Sequence, residues 1–358
     1  MRTSTLEPAA TPSWQKRIRR FLGSYTLRVI LQSLITVWAV ITFTFFLIRL
    51  MPGNPIQVKI EQLMQRGIPY DDALRQASAL YHFDASAPLG QQYVEYLGNL
   101  VRGDLGESIT SPGTSVLSQI LRFLPWTLFS VGTALLISFT FGVLIGLATA
   151  YWRGSVFDNV VTAIASFLYG IPDYVIALLL IIVVGLQLGW FNPGDLRGGV
   201  DPTIPPGFTA EYIGSVIKFA ILPITVYVLA SIGGWILTMK SSTMTTLGED
   251  HITVAKARGL SEGRIMTAYV GRNALLPLVT RFAISIGFIV GGSVIVEELF
   301  QYPGIGRNLL RVINARDYTT MQGFFLIITI SVVLSNTLSD LLLGWLDPRV
   351  RLGGDKGQ

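Results

Sequence analysis

The chain has 358 residues, of which 51% are hydrophobic and only 14% charged, and its mean hydropathy is +0.53. A soluble domain carries about a quarter charged residues, so this composition excludes an ordinary soluble fold. The net charge of +5 does not call for nucleic acid, because Lys and Arg gather on the cytoplasmic side of membrane proteins, and the absence of cysteine excludes disulfides, thiolate catalysis and Cys-bound metal.

Residues 1–27 read as a cytoplasmic tail, with 1–13 expected to be disordered. The basic stretch around Lys16, Arg17, Arg19 and Arg20 precedes an apolar segment from Val29 to Leu50. That segment is longer than a signal-peptide core and no small-residue cleavage site follows, so it reads as a retained span. Apolar blocks of bilayer length predict six spans, at about 28–50, 126–151, 160–188, 214–238, 279–300 and 322–346. The fold class is therefore an all-α polytopic membrane protein. Residues 51–122 form an extracytoplasmic helical segment, in which Leu89, Tyr93, Tyr96, Leu97 and Leu100 share one helical face. Residues 123–346 carry the other five spans, and 347–358 form a C-terminal tail.

Spans three and four contain "YGIPDY" and "AILPITVY", and an internal Pro frees a backbone carbonyl that neighbouring helices must satisfy. The loop at about 189–213 is rich in Pro and Gly and reads as irregular. Most Lys and Arg, including Arg258, Arg264, Arg272 and Arg281, fall on the side of the N-terminus, which places both termini in the cytoplasm. Ionisable residues inside spans are functional candidates by default, and Asp173 is the deepest. Pro172, Asp173, Tyr174, Gly291 and Gly292 are the candidate pathway residues, the two glycines also permitting close helix approach. Arg49, Glu297, Glu298 and Asp340 lie near span ends and read as interfacial anchors or helix-pairing residues.

Between spans four and five runs "TVAKARGLSEGRIMTAYVGRNALLP", polar and dotted with arginine. Residues 250–258 suit a short helix, Gly259 a left-handed stop, and Ser261 the N-cap of a second helix. Ile265, Met266, Tyr269 and Val270 make an apolar stripe on that helix, and Pro277 marks the entry to span five. By pattern alone this hairpin is either a membrane-surface loop or a docking site for a soluble partner. No G-x-x-x-x-G-K-[ST] is present, so ATP is not held in a P-loop; "PGIGR" at 303–307 lacks the strand–helix setting and reads as a turn. His82 and His251 are too far apart to suggest a ligand pair. No catalytic residue, cofactor or metal is expected.

The stretch "AKARGLSEGRIMTAYVGRNALLP" resembles the coupling loop of ABC-importer permeases, in the dipeptide/oligopeptide/nickel branch. "GDLGESI" at 103–109, "VEELFQYPGIGRNLLRVINARDY" at 296–318 and "DLLLGWLDPRVR" at 340–351 are similar to further signatures of that branch. Thr253 stands where the general motif has Glu, and "YHFD" at 81–84 departs from the branch's Leu-Gly-Leu-Asp. The resemblance implies a permease subunit in a prokaryotic cell membrane, carrying peptides or a related solute through half of a shared pathway. It also implies the partners: a second homologous permease, two cytoplasmic ATPases and an extracytoplasmic solute-binding protein. The ATPase-coupling residues would be Ala255, Lys256, Ala257, Arg258, Gly259, Leu260, Asn273 and Pro277. A self-sufficient secondary transporter or channel is the alternative, and it would need intramembrane ion-coupling residues or inverted repeats.

Overall fold

The computed structural model describes residues 25–50, 60–61, 63–80, 88–191, 194 and 197–346; the expected C-terminal tail, the "YHFD" segment and all but the last three residues of the expected N-terminal tail lie outside these residues, and those three belong to the first helix. Five helices are long and apolar enough to cross a membrane, and a bent pair makes a sixth. They are α1 (Tyr25–Leu50), α4 (Val116–Tyr151), the pair α5 (Val156–Gly170) and α6 (Asp173–Leu180), α7 (Ala210–Leu247), α9 (Glu262–Ile289) and α12 (Tyr318–Leu346). Shorter helices lie between them: α2 (Tyr70–Leu80), α3 (Leu89–Val101), α8 (Asp250–Ala257), α10 (Val294–Leu299) and α11 (Ile305–Asn314). Among the described residues the one isolated bridge, Glu107 with Ser115, is the nearest approach to a strand.

In α7, the most buried of the long helices, lies the centre of the bundle; α1 is the least buried. Helix α7 packs along α4, α5 and α9, while α12 joins α9 to α1. Without a hydrophobic drive between helices in lipid, close approach depends on small residues. Gly142 and Gly146, four apart on α4, meet that need: a Cβ on either would run into Trp235, or into the Ile236 carbonyl and Met239, on α7.

Span two starts at Val116, earlier than expected and inside the segment read as extracytoplasmic, and two further spans differ more. Span three is not one rod. Pro172 lacks an N–H and its ring disfavours a helical residue before it, so α5 stops at Gly170 and α6 leaves at 101°. Span five is the continuation of the hairpin's second helix rather than a helix entered at Pro277. Ile265–Gly271 forms a wider π-type turn, and Pro277 lies inside the following α-helical stretch. Ser242 Oγ on α7 donates to the Ala274 carbonyl at 2.8 Å, next to the Asn273 carbonyl that the proline leaves without its helical donor. The helix then ends at Ile289 rather than near 300. Gly291 and Gly292 form the turn beyond it, with Gly292 at φ +56°, and are not a helix-crossing patch.

On the side opposite the hairpin, α3 leans on the end of α1. Tyr93 and Tyr96 pack on Phe45, and the Tyr93 and Thr42 hydroxyls share a hydrogen bond of 2.7 Å. Tyr93, Tyr96, Leu97 and Leu100 are half-buried on the expected face; Leu89 is exposed. Helix α11 lays Ile305, Leu309 and Val312 against Ile48 of α1, Val116 and Ile120 of α4, and Met321 and Phe324 of α12.

Candidate functional site

The hairpin is built as its residues dictate. Helix α8 ends at Ala257, and Gly259 takes φ +74°, a conformation that costs a side chain but not glycine. Ser261 occupies the N-cap backbone position of α9, although its hydroxyl makes no capping bond. Ile252 and Ala255 of α8 bury themselves against Ile265, Met266 and Val270 of α9, with Leu147 of α4 and Leu247 of α7 packed around them. The hairpin is thus seated on the ends of two spans and continuous with a third. Ala255 faces inward and fills this cluster, so it packs the hairpin from within instead of lining its outer face. Thr253, Val254, Lys256, Ala257, Arg258 and Gly259 are exposed, and Val254 is an uncovered apolar side chain at 52% exposure. Leu260 is half-buried; Asn273 lies 3.3 Å from the His251 ring of α8, and Pro277 is exposed one turn further on.

The candidate pathway residues meet at two helix breaks. Pro172 precedes α6, and the Asp173 carboxylate at its first turn accepts from the Tyr174 N–H and from Ser293 Oγ, each at 2.8 Å. Ser293 follows Gly292 in the break between α9 and α10, so residues 120 apart in sequence close on one another. Tyr174 is 41% exposed beside them.

Beyond these breaks Glu297, read as an anchor, is fully buried. Its carboxylate accepts from Thr127 Oγ1 of α4 and from the N–H of Arg307 in α11, both at 2.9 Å. Thr127 Oγ1 in turn accepts from the Ile305 N–H at 2.8 Å. Together they cap α11 from outside the helix, supplying partners for N–H groups that its first turn leaves open. Gly304 and Gly306 let the backbone wrap the carboxylate, where a Cβ would strike it. "PGIGR" is therefore a turn that opens a helix around a buried acid. Burial pushes the Glu297 carboxyl up to about 7, against the Arg307 N–H and the Thr127 hydroxyl, which favour its charged form. A second buried carboxylate, Asp317, accepts from the Ser108 hydroxyl at 2.5 Å, the Ile109 N–H at 3.1 Å and the Thr320 N–H at 3.1 Å. It ties the "GDLGESI" stretch to the start of α12. Sequence reading passed over Asp317 and Ser108; glycines spaced around an acid were the one available signal for Glu297.

Residues 142–352 match the family described as the binding-protein-dependent transport system inner membrane component. This chain belongs to that family. It is a multi-pass inner membrane component of a binding-protein-dependent transport system, and a transport protein rather than a self-sufficient carrier or channel. Among its relatives, the di/tripeptide transport system permease protein DppB of Pseudomonas aeruginosa is 34% identical over 327 residues, 88% of this chain and 95% of its own length. The oligopeptide transport system permease protein AppB of Bacillus subtilis is 32% identical over 333 residues, 92% of this chain and 99% of its own. The dipeptide transport system permease protein DppB of Escherichia coli is 30% identical over 325 residues, 86% and 93% respectively. The family member therefore carries the hairpin, the bent span and both buried acids within a transport scaffold.

Proposed function

We propose that this family member is a peptide permease whose hairpin transmits the ATPase stroke to the spans. The seating of the hairpin carries the reading. Its inner face is locked to α4 and α7 through Leu147 and Leu247, and α9 runs without a break from the hairpin into the membrane. A push on α8 is thereby delivered to three spans at once. Lys256, Ala257, Arg258 and Gly259, with the exposed Val254, form the face offered to a cytoplasmic ATPase groove; Asn273 fixes the hairpin to its own span through His251. A second homologous permease completes the pathway, two ATPases drive it, and an extracytoplasmic binding protein delivers peptide to the side bearing α2, α3 and α11. Both termini lie in the cytoplasm. Peptide is the solute named for the relatives, and the chain matches them over almost its whole length.

Gly259→Val tests the coupling role. A β-branched residue at positive φ is strained by about 1–3 kcal/mol, so the hairpin turn shifts while the spans remain inserted. The purified complex is expected to lose ATPase subunits and transport-coupled hydrolysis. Arg258→Ala is expected to be milder, because an exposed ion pair is worth about 0–1 kcal/mol. A Gly259→Val complex that stays assembled and fully coupled would show that the hairpin is only a surface loop.

A further inference from the structure

Arg281 stands where a membrane helix does not place an arginine without reason. Sequence patterning put it at the cytoplasmic edge, but α9 starts much earlier than expected. Arg281 is eight residues before the end of that helix, about 12 Å along its axis. It is exposed on the chain, and arginines at such depth face a bundle interior or a watery cavity, not lipid. Its guanidinium lies over the buried Trp235 ring, 5.0 Å from the centroid, and donates to Thr238 Oγ1 at 2.9 Å. Gly234 leaves the space: the Arg281 guanidinium and the Tyr169 ring both lie over its missing side chain. Tyr169 is 57% exposed and belongs to the last turn of α5, just before the bend at Asp173. No carboxylate pairs with Arg281 among the described residues, and no Lys or Arg pairs with Asp173 among them.

Helix α7 gives the spacing of these two charges. Ile176 and Ala177, in the turn of α6 that follows Asp173, pack in one cluster with Ala220, Leu222 and Val226 of α7, whereas Gly234 and Thr238 are level with the guanidinium. From Val226 the intervening rise is about 12–18 Å at 1.5 Å per residue. An extended peptide covers about 3.3–3.6 Å per residue, so this distance fits roughly three to five residues. The acid is backed by a hydroxyl and a helix N-terminus. The guanidinium, a rigid fork suited to carboxylate, is already held in place by an aromatic face and a threonine.

We propose that Asp173 and Arg281 are the two poles of a peptide site in the pathway, Asp173 receiving the α-ammonium and Arg281 the C-terminal carboxylate. The proposal rests on the peptide-permease reading above and adds a preference for unblocked termini. It is tested with the full complex and its binding protein in proteoliposomes, taking up tetra-alanine, its C-terminal amide and its N-acetyl form. The same binding protein serves every variant, so its own selectivity cancels when each variant's uptake ratios are compared with those of the unmutated complex. Arg281→Gln is expected to lower the acid-to-amide uptake ratio about tenfold and to leave the free-amine-to-acetyl ratio unchanged; Asp173→Asn is expected to do the reverse. Ratios that do not move, or all three peptides falling together, would overturn the proposal while leaving peptide transport standing. Loss of assembly with both Arg281→Gln and Arg281→Lys would overturn it as well, since Arg281 would then serve the contact with the second permease. If the unmutated complex takes up none of the three peptides, the peptide reading fails and this site falls with it.

Discussion

Glu297 shows how much one side chain can organise. A buried carboxylate is costly unless its oxygens are used, and here α4 and α11 supply the donors. Glu297→Ala would orphan the Arg307 N–H and the Thr127 hydroxyl, at about 1–3 kcal/mol each. A drop of several degrees in the thermal midpoint of the detergent-purified complex is the expected result; an unchanged midpoint would remove Glu297 from the scaffold. The pH dependence has a definite sign. With its pKa raised to about 7 in the fold against 4.5 when exposed, the folded state binds the proton more tightly between those values. Stability is therefore expected to be greatest below about 4.5 as far as this group is concerned, and to fall as pH rises through about 7. Glu297→Gln, which carries no titrating proton, should flatten that part of a stability-against-pH profile.

At the scale of elements, the contact of α4 with α7 depends on two missing side chains. Gly146 faces the Ile236 carbonyl and Met239 with no room for a Cβ, and Gly142 faces Trp235. Gly146→Leu is expected to force the helices apart and cost about 1–3 kcal/mol, the usual effect of overpacking. The measurement is again the thermal midpoint of the purified complex. Gly132 belongs to the same helix but has nothing within 4 Å of its added Cβ, so Gly132→Ala serves as the control and should not lower the midpoint, since Ala is the better helix former. The break between α5 and α6 has the opposite logic. A stiff residue, Pro172, ends one helix and frees Asp173 to meet Ser293 from another break.

For the whole molecule, the hairpin and the α3–α11 layer lie on opposite sides of the bundle, and the proposed orientation, with the hairpin side in the cytoplasm, is open to a direct test. The chain has no cysteine, so single-cysteine labelling is unambiguous. Glu95→Cys is expected to react with an impermeant thiol reagent added outside intact cells. Ser261→Cys is expected to react only after permeabilisation. The reverse pattern would invert the orientation and move the binding-protein and ATPase faces to the wrong sides.

Patterns with a short period are legible in the sequence itself. Runs of apolar residues marked α1, α4, α7 and α12, because a bilayer demands about 20 of them in succession. The turn at Gly259 was equally plain, since helical residues on both sides leave a glycine few other roles. What the sequence by itself could not decide were relations between residues far apart in the chain. Pro172 announced an irregularity but not a 101° bend, and Pro277 announced a helix start although it lies inside a helix that runs on from the hairpin. Ala255 looked like an outward contact, yet it closes the cluster with Ile252 and Val270. Glu297 resembled any acid near a span end, and Asp317 carried no mark of its own, until Thr127 and Ser108 were brought to them from 170 and 209 residues away. Local propensity acts within a few residues of the chain, whereas a buried charge is stable only where the folded backbone delivers its donors, and that delivery is a property of tertiary structure alone.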